Sequence, residues 1–243
     1  MKRHIVGVDP GKINDPTGIV VVAVDDHDHE PTAPTDTTPL GWPFRKYPHG
    51  IDGNGRPRPQ PPATRRRRTF EVVHIERRPR DESYPQMVRH VASLLATPEL
   101  TIDGHPPDSV WDVTGVGQAV ADMAREAGIK PRLVSITSGI RPHYEKGYWR
   151  TPKADLVAAV VVKLQAGELK IAASAEYAEE LRRELLGFKV TTSASGRDSY
   201  GAGDEWREDS HDDLVLALCC AVWWGDRAKG PAPGPETYAK ITW

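Results

Sequence analysis

Residues 210–218, Ser-His-Asp-Asp-Leu-Val-Leu-Ala-Leu, set two adjacent carboxylates, Asp212 and Asp213, at the mouth of an apolar helix. A carboxylate pair facing an apolar run is costly to desolvate unless a cation binds there. Taken alone, the run also reads as an ordinary helix start, with Ser210 or Asp212 as the N-cap and the acids favoured by the helix dipole. Two further acids stand in matching places. Asp9 closes the apolar run His4-Ile5-Val6-Gly7-Val8, and Asp112 follows Val110-Trp111. Asp9 has its own local reading, as a turn cap before Pro10-Gly11.

The rest of the chain supplies the frame for these acids. Residues 4–9 read as a short buried strand, and 17–24, rich in β-branched residues, as its antiparallel partner. Residues 25–69 differ in kind: dense in Pro, Gly, Asp, His and Arg, they show no apolar periodicity and read as a long polar insertion. The insertion ends in Arg65, Arg66, Arg67 and Arg68, either a solvated loop or an arm gripping phosphates without regard to sequence. Residues 70–76 alternate like a third strand closed by Glu76, an accessory candidate that Arg77 and Arg78 could equally pair at the surface. Helical spacing follows over 84–95.

Residues 109–136 read as strand, glycine turn, helix (118–127) and strand, a βα layout that delivers Asp112 to the carboxyl end of a parallel strand. The Gly115 and Gly117 pair lacks the third glycine of a dinucleotide fingerprint. Residues 137–150 read as a polar aromatic loop. There Arg141, Lys146 and Arg150 interleave with Tyr144, Tyr148 and Trp149, a mixture suited to phosphates and bases or to packing on the body. Helices are expected over 152–165, with Lys153 in the first turn, and over 176–187. A brief strand or turn is read over 168–172, and a hairpin or loop over 191–209. The expected organisation is one α/β domain over 1–228 with the insertion at 25–69, then a Pro- and Gly-bearing tail over 229–243.

Composition removes several classes. A formal charge of −2 argues against a uniformly basic DNA-coating protein but leaves room for a local basic face. Cys219 and Cys220 are adjacent inside the apolar helix, without the spacing of a zinc site, and fit a reducing, cytoplasmic setting. No apolar run reaches the length of a membrane span, and the N-terminal residues do not read as a signal peptide.

In order and context, Val6-Gly7-Val8-Asp9-Pro10-Gly11, Trp111-Asp112-Val113-Thr114-Gly115-Val116-Gly117 and His211-Asp212-Asp213-Leu214 resemble the nuclease domain of phage large terminases. Pro152-Lys153-Ala154-Asp155-Leu156, Gly167-Glu168-Leu169-Lys170-Ile171 and EELRRELLGF at 179–188 match as well, so the similarity spans most of the chain outside 25–69. The resemblance implies an RNase H-like fold, a central mixed sheet of five or more strands flanked by helices. It also implies metal-dependent cutting of concatemeric viral DNA during genome packaging. The family's acids carry over as Asp9, Asp112 and Asp213, with Asp212 a possible further metal ligand; Asp213 is preferred because the ligand in related resolvases directly precedes the apolar helical run. Two ions, Mg²⁺ or Mn²⁺, are the expected cofactors. Double-stranded DNA, a separate packaging ATPase, a small terminase and a portal are the expected partners.

Phosphodiester hydrolysis gives these acids a reason to cluster. Two divalent ions about 3.5–4 Å apart activate a water and neutralise the leaving oxygen, and hard ions take carboxylate oxygens. His211 would orient a ligand or stand as a surface residue beside the cap; Lys153 would touch the scissile phosphate or merely start its helix. These residues carry no G-x-x-x-x-G-K-[ST] phosphate loop, so the packaging ATPase is not among them. The competing readings are a Holliday-junction resolvase of the same fold, an actin-like kinase or ATPase lacking its second half, and a non-catalytic DNA-binding module for packaging assembly.

Overall fold

The computed structural model describes residues 2–11, 15–29, 65–115, 117–192, 198–202 and 212–228. Three antiparallel strands open the chain: β1 (Lys2–Asp9), β2 (Gly18–His29) and β3 (Arg65–Arg77). On the other side of β1 lie β4 (Asp108–Asp112) and β5 (Arg132–Thr137), both parallel to it. β7 (Tyr148–Pro152) extends this parallel set, β6 (His143–Glu145) pairs outside it in the antiparallel sense, and β8 (Leu169–Ile171) joins β3 at the far edge. The sheet order is β6-β7-β5-β4-β1-β2-β3-β8, with β9 (Phe188–Thr192) and β10 (Asp198–Ala202) paired separately. This is the RNase H-like mixed sheet that the resemblance implies, with eight strands among the described residues.

The central strands read as continuous apolar runs because both faces are covered. Val6, Val8, Ile19 and Val21 pack into one core with α1 (Tyr84–Leu95) and α2 (Gly117–Glu126). Ile5, Val20, Val22 and Val110 pack into a second with α3 (Lys153–Gln165), α4 (Ala178–Gly187) and α5 (Asp213–Arg227). α5 is the element everything else encloses: residues 213–223 are all buried, as expected of a helix apolar on every side. Its backbone lies directly on the strands. A Cβ on Gly7 would stand 2.1 Å from the Ala217 carbonyl oxygen, and one on Gly18 would stand 2.5 Å from that of Asp213.

The helices over 84–95, 118–127, 152–165 and 176–187 fall where periodicity places them, to within two residues. The ends of the polar insertion do not. Residues 25–29 and 65–69 continue β2 and β3 as a paired ladder, Asp25 opposite Thr69 through His29 opposite Arg65. Backbone pairing needs no apolar side chain, and the cross-strand ion pair of Asp26 with Arg68 supports it. The aromatic loop read over 137–150 likewise contains the β6–β7 hairpin, and Trp149 packs edge-on against Trp223 with ring centroids 5.7 Å apart. The remainder of the insertion and the tail over 229–243 lie outside the described residues. No helix among the described residues is long and apolar enough to cross a membrane.

Candidate metal centre

The carboxyl ends of β1, β4, β5 and β7 open on one side of the sheet, where β2 begins and β3 ends. A cavity of about 280 Å³ sits there, lined by Asp9, Asp112, Lys153, Asp212 and Asp213. Strand alternation aims the first two. Asp9 follows Ile5 and Gly7 on the α5 face, and Asp112 follows Val110. Asp112 is buried, and its Oδ1 accepts the Thr114 backbone N–H at 2.7 Å. The Thr114 hydroxyl in turn accepts the Ile136 N–H at 2.7 Å, tying the β4 turn to β5. Lys153 begins α3 where β7 ends, with its Nζ 3.4 Å from an Asp212 oxygen.

The charge balance of this cavity is unfavourable to its carboxylates. Burial first, then the negative charges of Asp112, Asp212 and Asp213, hold the Asp9 carboxyl well above the usual carboxylate range, against the opposing Lys153. The Cys220 thiol behind it is raised by burial and by Asp112 and Asp9, so it stays protonated.

The acid doublet divides its contacts. Asp212 is 38% exposed and faces Lys153, whereas Asp213 is 7% exposed and is gripped from behind by Arg77. The Arg77 Nε and Nη2 each reach a different Asp213 oxygen at 3.1 Å, a bidentate pair. The same guanidinium binds Glu184 of α4, whose other oxygen accepts the Val215 N–H at 3.2 Å in the first turn of α5. Burial, then the charge of Asp213, pushes the Glu184 carboxyl up to about 7 despite Arg77.

Arg77 escapes a reading of the sequence because β3 carries a bulge. Val21 pairs with His74 but Val22 pairs with Val72, leaving Val73 unmatched. Simple alternation from Phe70 and Val72 would bring His74 and Glu76 to the α5 face; the bulge instead brings Ile75 and Arg77 there. Glu76 therefore stands away from the acid cavity, held by His74 at 2.6 Å, by His90 of α1 at 2.5 Å and by Arg78 at 3.8 Å. Glu184 escapes such a reading for a different reason: on the helix expected over 176–187 it is one charged residue among several, with nothing local to mark it.

The basic candidates are spread along the sheet. β3 carries Arg68 nine residues from Arg77, about 30 Å at strand rise. Arg68 is bound to Asp26 and to the Gly225 and Asp226 carbonyls at the end of α5, and Arg67 lies 3.5 Å from Glu168. The side chains of Arg65 and Arg66, and all of His211, lie outside the described residues. Arg141 precedes β6 at the cavity end, Lys146 occupies the hairpin turn at the opposite end, and Arg150 donates to Glu145 at 2.8 Å.

Among the described residues, no three His, Cys, Asp or Glu side chains are gathered tightly enough to hold a metal ion as they stand. The donor chemistry nevertheless suits a hard divalent ion: carboxylate oxygens from Asp9, Asp112, Asp212 and Asp213 line the cavity.

The fold is RNase H-like, with an acid-lined cavity at its strand ends. In structure it is similar to the large terminase nuclease of thermophilic phage G20c with bound magnesium, at 16% identity and a TM-score of 0.54 over 91% of this chain and 80% of that one. The nuclease domain of the large terminase subunit of bacterial virus Sf6 is similar at 16% identity and a TM-score of 0.52, over 95% and 89%. A variant of that Sf6 domain holding manganese and beta-thujaplicinol gives 15% and 0.54 over the same shares. No family model and no curated protein matches the sequence.

Proposed function

We propose that this chain is a divalent-metal-dependent DNA endonuclease of the large-terminase kind. The observation that carries the reading is the convergence of Asp9, Asp112 and the Asp212–Asp213 doublet, from three separate segments, on one cavity. Structural neighbours holding magnesium, cobalt and manganese support the choice of ion.

In this reading Asp9 and Asp112 offer carboxylate oxygens from the strand ends and the doublet offers them from α5. Bound Mg²⁺ or Mn²⁺, two ions in number, would lower the pKa of the attacking water and neutralise the leaving oxygen. Lys153, in the cavity lining and 3.4 Å from Asp212, would balance the negative charge that a phosphate brings. The Thr114 turn fixes the Asp112 carboxylate by accepting from β5 and donating to Oδ1. Arg141, at the cavity end of the β6 hairpin, contacts the backbone of a double-stranded substrate; the biological setting is cutting of concatemeric DNA beside a separate packaging ATPase, small terminase and portal.

End-labelled linear duplex incubated with Mg²⁺, Mn²⁺ or EDTA tests the assignment against its nearest rival. Metal-dependent cuts scattered along the duplex are expected. Selective cutting of a four-way junction, with linear duplex spared, would move the chain to the resolvases.

A further inference from the structure

The acid doublet at the start of α5 is treated very unequally by its surroundings. Asp213 has both oxygens occupied by one guanidinium, and that guanidinium is itself anchored to Glu184. Glu184 also accepts the Val215 amide, so the bracket reaches from β3 through α4 to the first turn of α5. Gly18 completes it: its missing Cβ lets the Asp213 backbone rest on the start of β2. The orientation of the helix mouth is thus fixed at Asp213. Asp212 stands one residue earlier, half-exposed toward Lys153.

We propose that Arg77 is a positioning residue for the metal centre: by clamping Asp213 to Glu184 it fixes the mouth of α5 so that Asp212, with Asp9 and Asp112, presents the carboxylates that receive the ion. This rests on the nuclease reading and assigns different duties to the two acids of the doublet. Both acids line the cavity, but Asp213 is the pivot held by Arg77, and Asp212 is the arm turned toward Lys153. A bidentate guanidinium pair is directional, so a point charge in its place keeps the attraction and loses the alignment.

The experiment uses the full chain and Mn²⁺ as the probe, with two readouts: the rise in Tm on titration with Mn²⁺, and the Mn²⁺ concentration giving half-maximal plasmid cleavage. Arg77→Ala is expected to raise both midpoints by about 10–100-fold, the range seen when a group orienting a metal ligand is removed. Arg77→Lys should fall between it and the wild type, with DNA affinity in EDTA unchanged in both. Asp212→Asn should abolish the Mn²⁺-induced rise in Tm, and Asp213→Asn should instead reproduce Arg77→Ala. Wild-type midpoints in Arg77→Lys and Arg77→Ala would overturn the proposal. So would an Asp212→Asn variant that keeps the Mn²⁺ response while Asp213→Asn loses it. If Arg77→Ala does not fold, the Arg77→Lys midpoint decides. If the wild type binds Mn²⁺ but cuts nothing, the nuclease reading fails and the Tm arm still judges the clamp.

Discussion

Asp9 concentrates the electrostatics of the site in one side chain. Burial and three neighbouring acids raise its proton affinity, so replacing it by the neutral isostere removes repulsion as well as the proposed ligand. Asp9→Asn should raise the Tm of the metal-free protein, abolish the further rise on adding Mn²⁺, and reduce cleavage by at least ~100-fold, the upper end of what losing a mere ligand partner costs. Thermal melts with and without metal, beside a cleavage assay, measure all three; a lower metal-free Tm would contradict the repulsion argument. His74 makes a separate prediction about pH. Its hydrogen bond to Glu76 raises it above the ordinary 6.5, so the native state keeps a proton that the unfolded chain releases. That contribution is complete below pH 6.5 and fades as pH rises through the native value. Glu76 is lowered by the same contact against its burial, so its contribution is present above 4.5 and fades as pH falls through the native value. The Tm of His74→Gln should lose its decline above pH 6.5; an unchanged slope would place that decline elsewhere.

α5 is the element whose packing sets the site, and the strands beneath it carry glycine where its backbone touches them. Gly7→Ala forces a methyl to within 2.1 Å of the Ala217 carbonyl and should destabilise by roughly 1–3 kcal/mol or more, read from urea unfolding. Neutral behaviour would mean that α5 does not rest on β1 as described. At the other end, Arg3 and Arg68 both bind Asp26 and the last carbonyls of α5. Arg68→Ala should lower stability by about 1–2 kcal/mol, as for loss of a charged hydrogen-bonding partner, and leave the salt dependence of DNA binding unchanged. A shallower salt slope would return Arg68 to the phosphate-gripping role that its arginine-rich run suggests. The elements that were legible in the sequence are those with a dominant period: the buried strands, the helix over 84–95 and the apolar α5. The paired ends of the insertion were not, because a ladder of polar residues has the composition of a loop. The bulge at Val73 was invisible for a different reason, since nothing in the local residues reveals which partner position is skipped, and it decides that Arg77 rather than Glu76 faces the acids.

At the scale of the molecule, order along the chain and position in space agree. Acids spaced by about a hundred residues in sequence meet because β1 and β4 are parallel neighbours and α5 crosses both. Asp9, Asp112 and the doublet were therefore readable from their places at the ends of apolar runs. The division of labour within the doublet was not, because it depends on Arg77 and Glu184 arriving from distant elements. The arginine run shows the same limit: Arg68 lies nine residues along β3 from Arg77, about 30 Å from the acid end of the sheet. Supercoiled plasmid in Mn²⁺, Mg²⁺ or EDTA, given to the wild type and to Asp112→Asn, shows whether this acid cavity cuts DNA with a divalent metal. Metal-dependent nicking and linearisation by the wild type are expected, with none in EDTA and loss of cutting in a variant that remains folded and still binds DNA. Equal cutting by the variant, or none by the wild type in either metal, would contradict the nuclease reading.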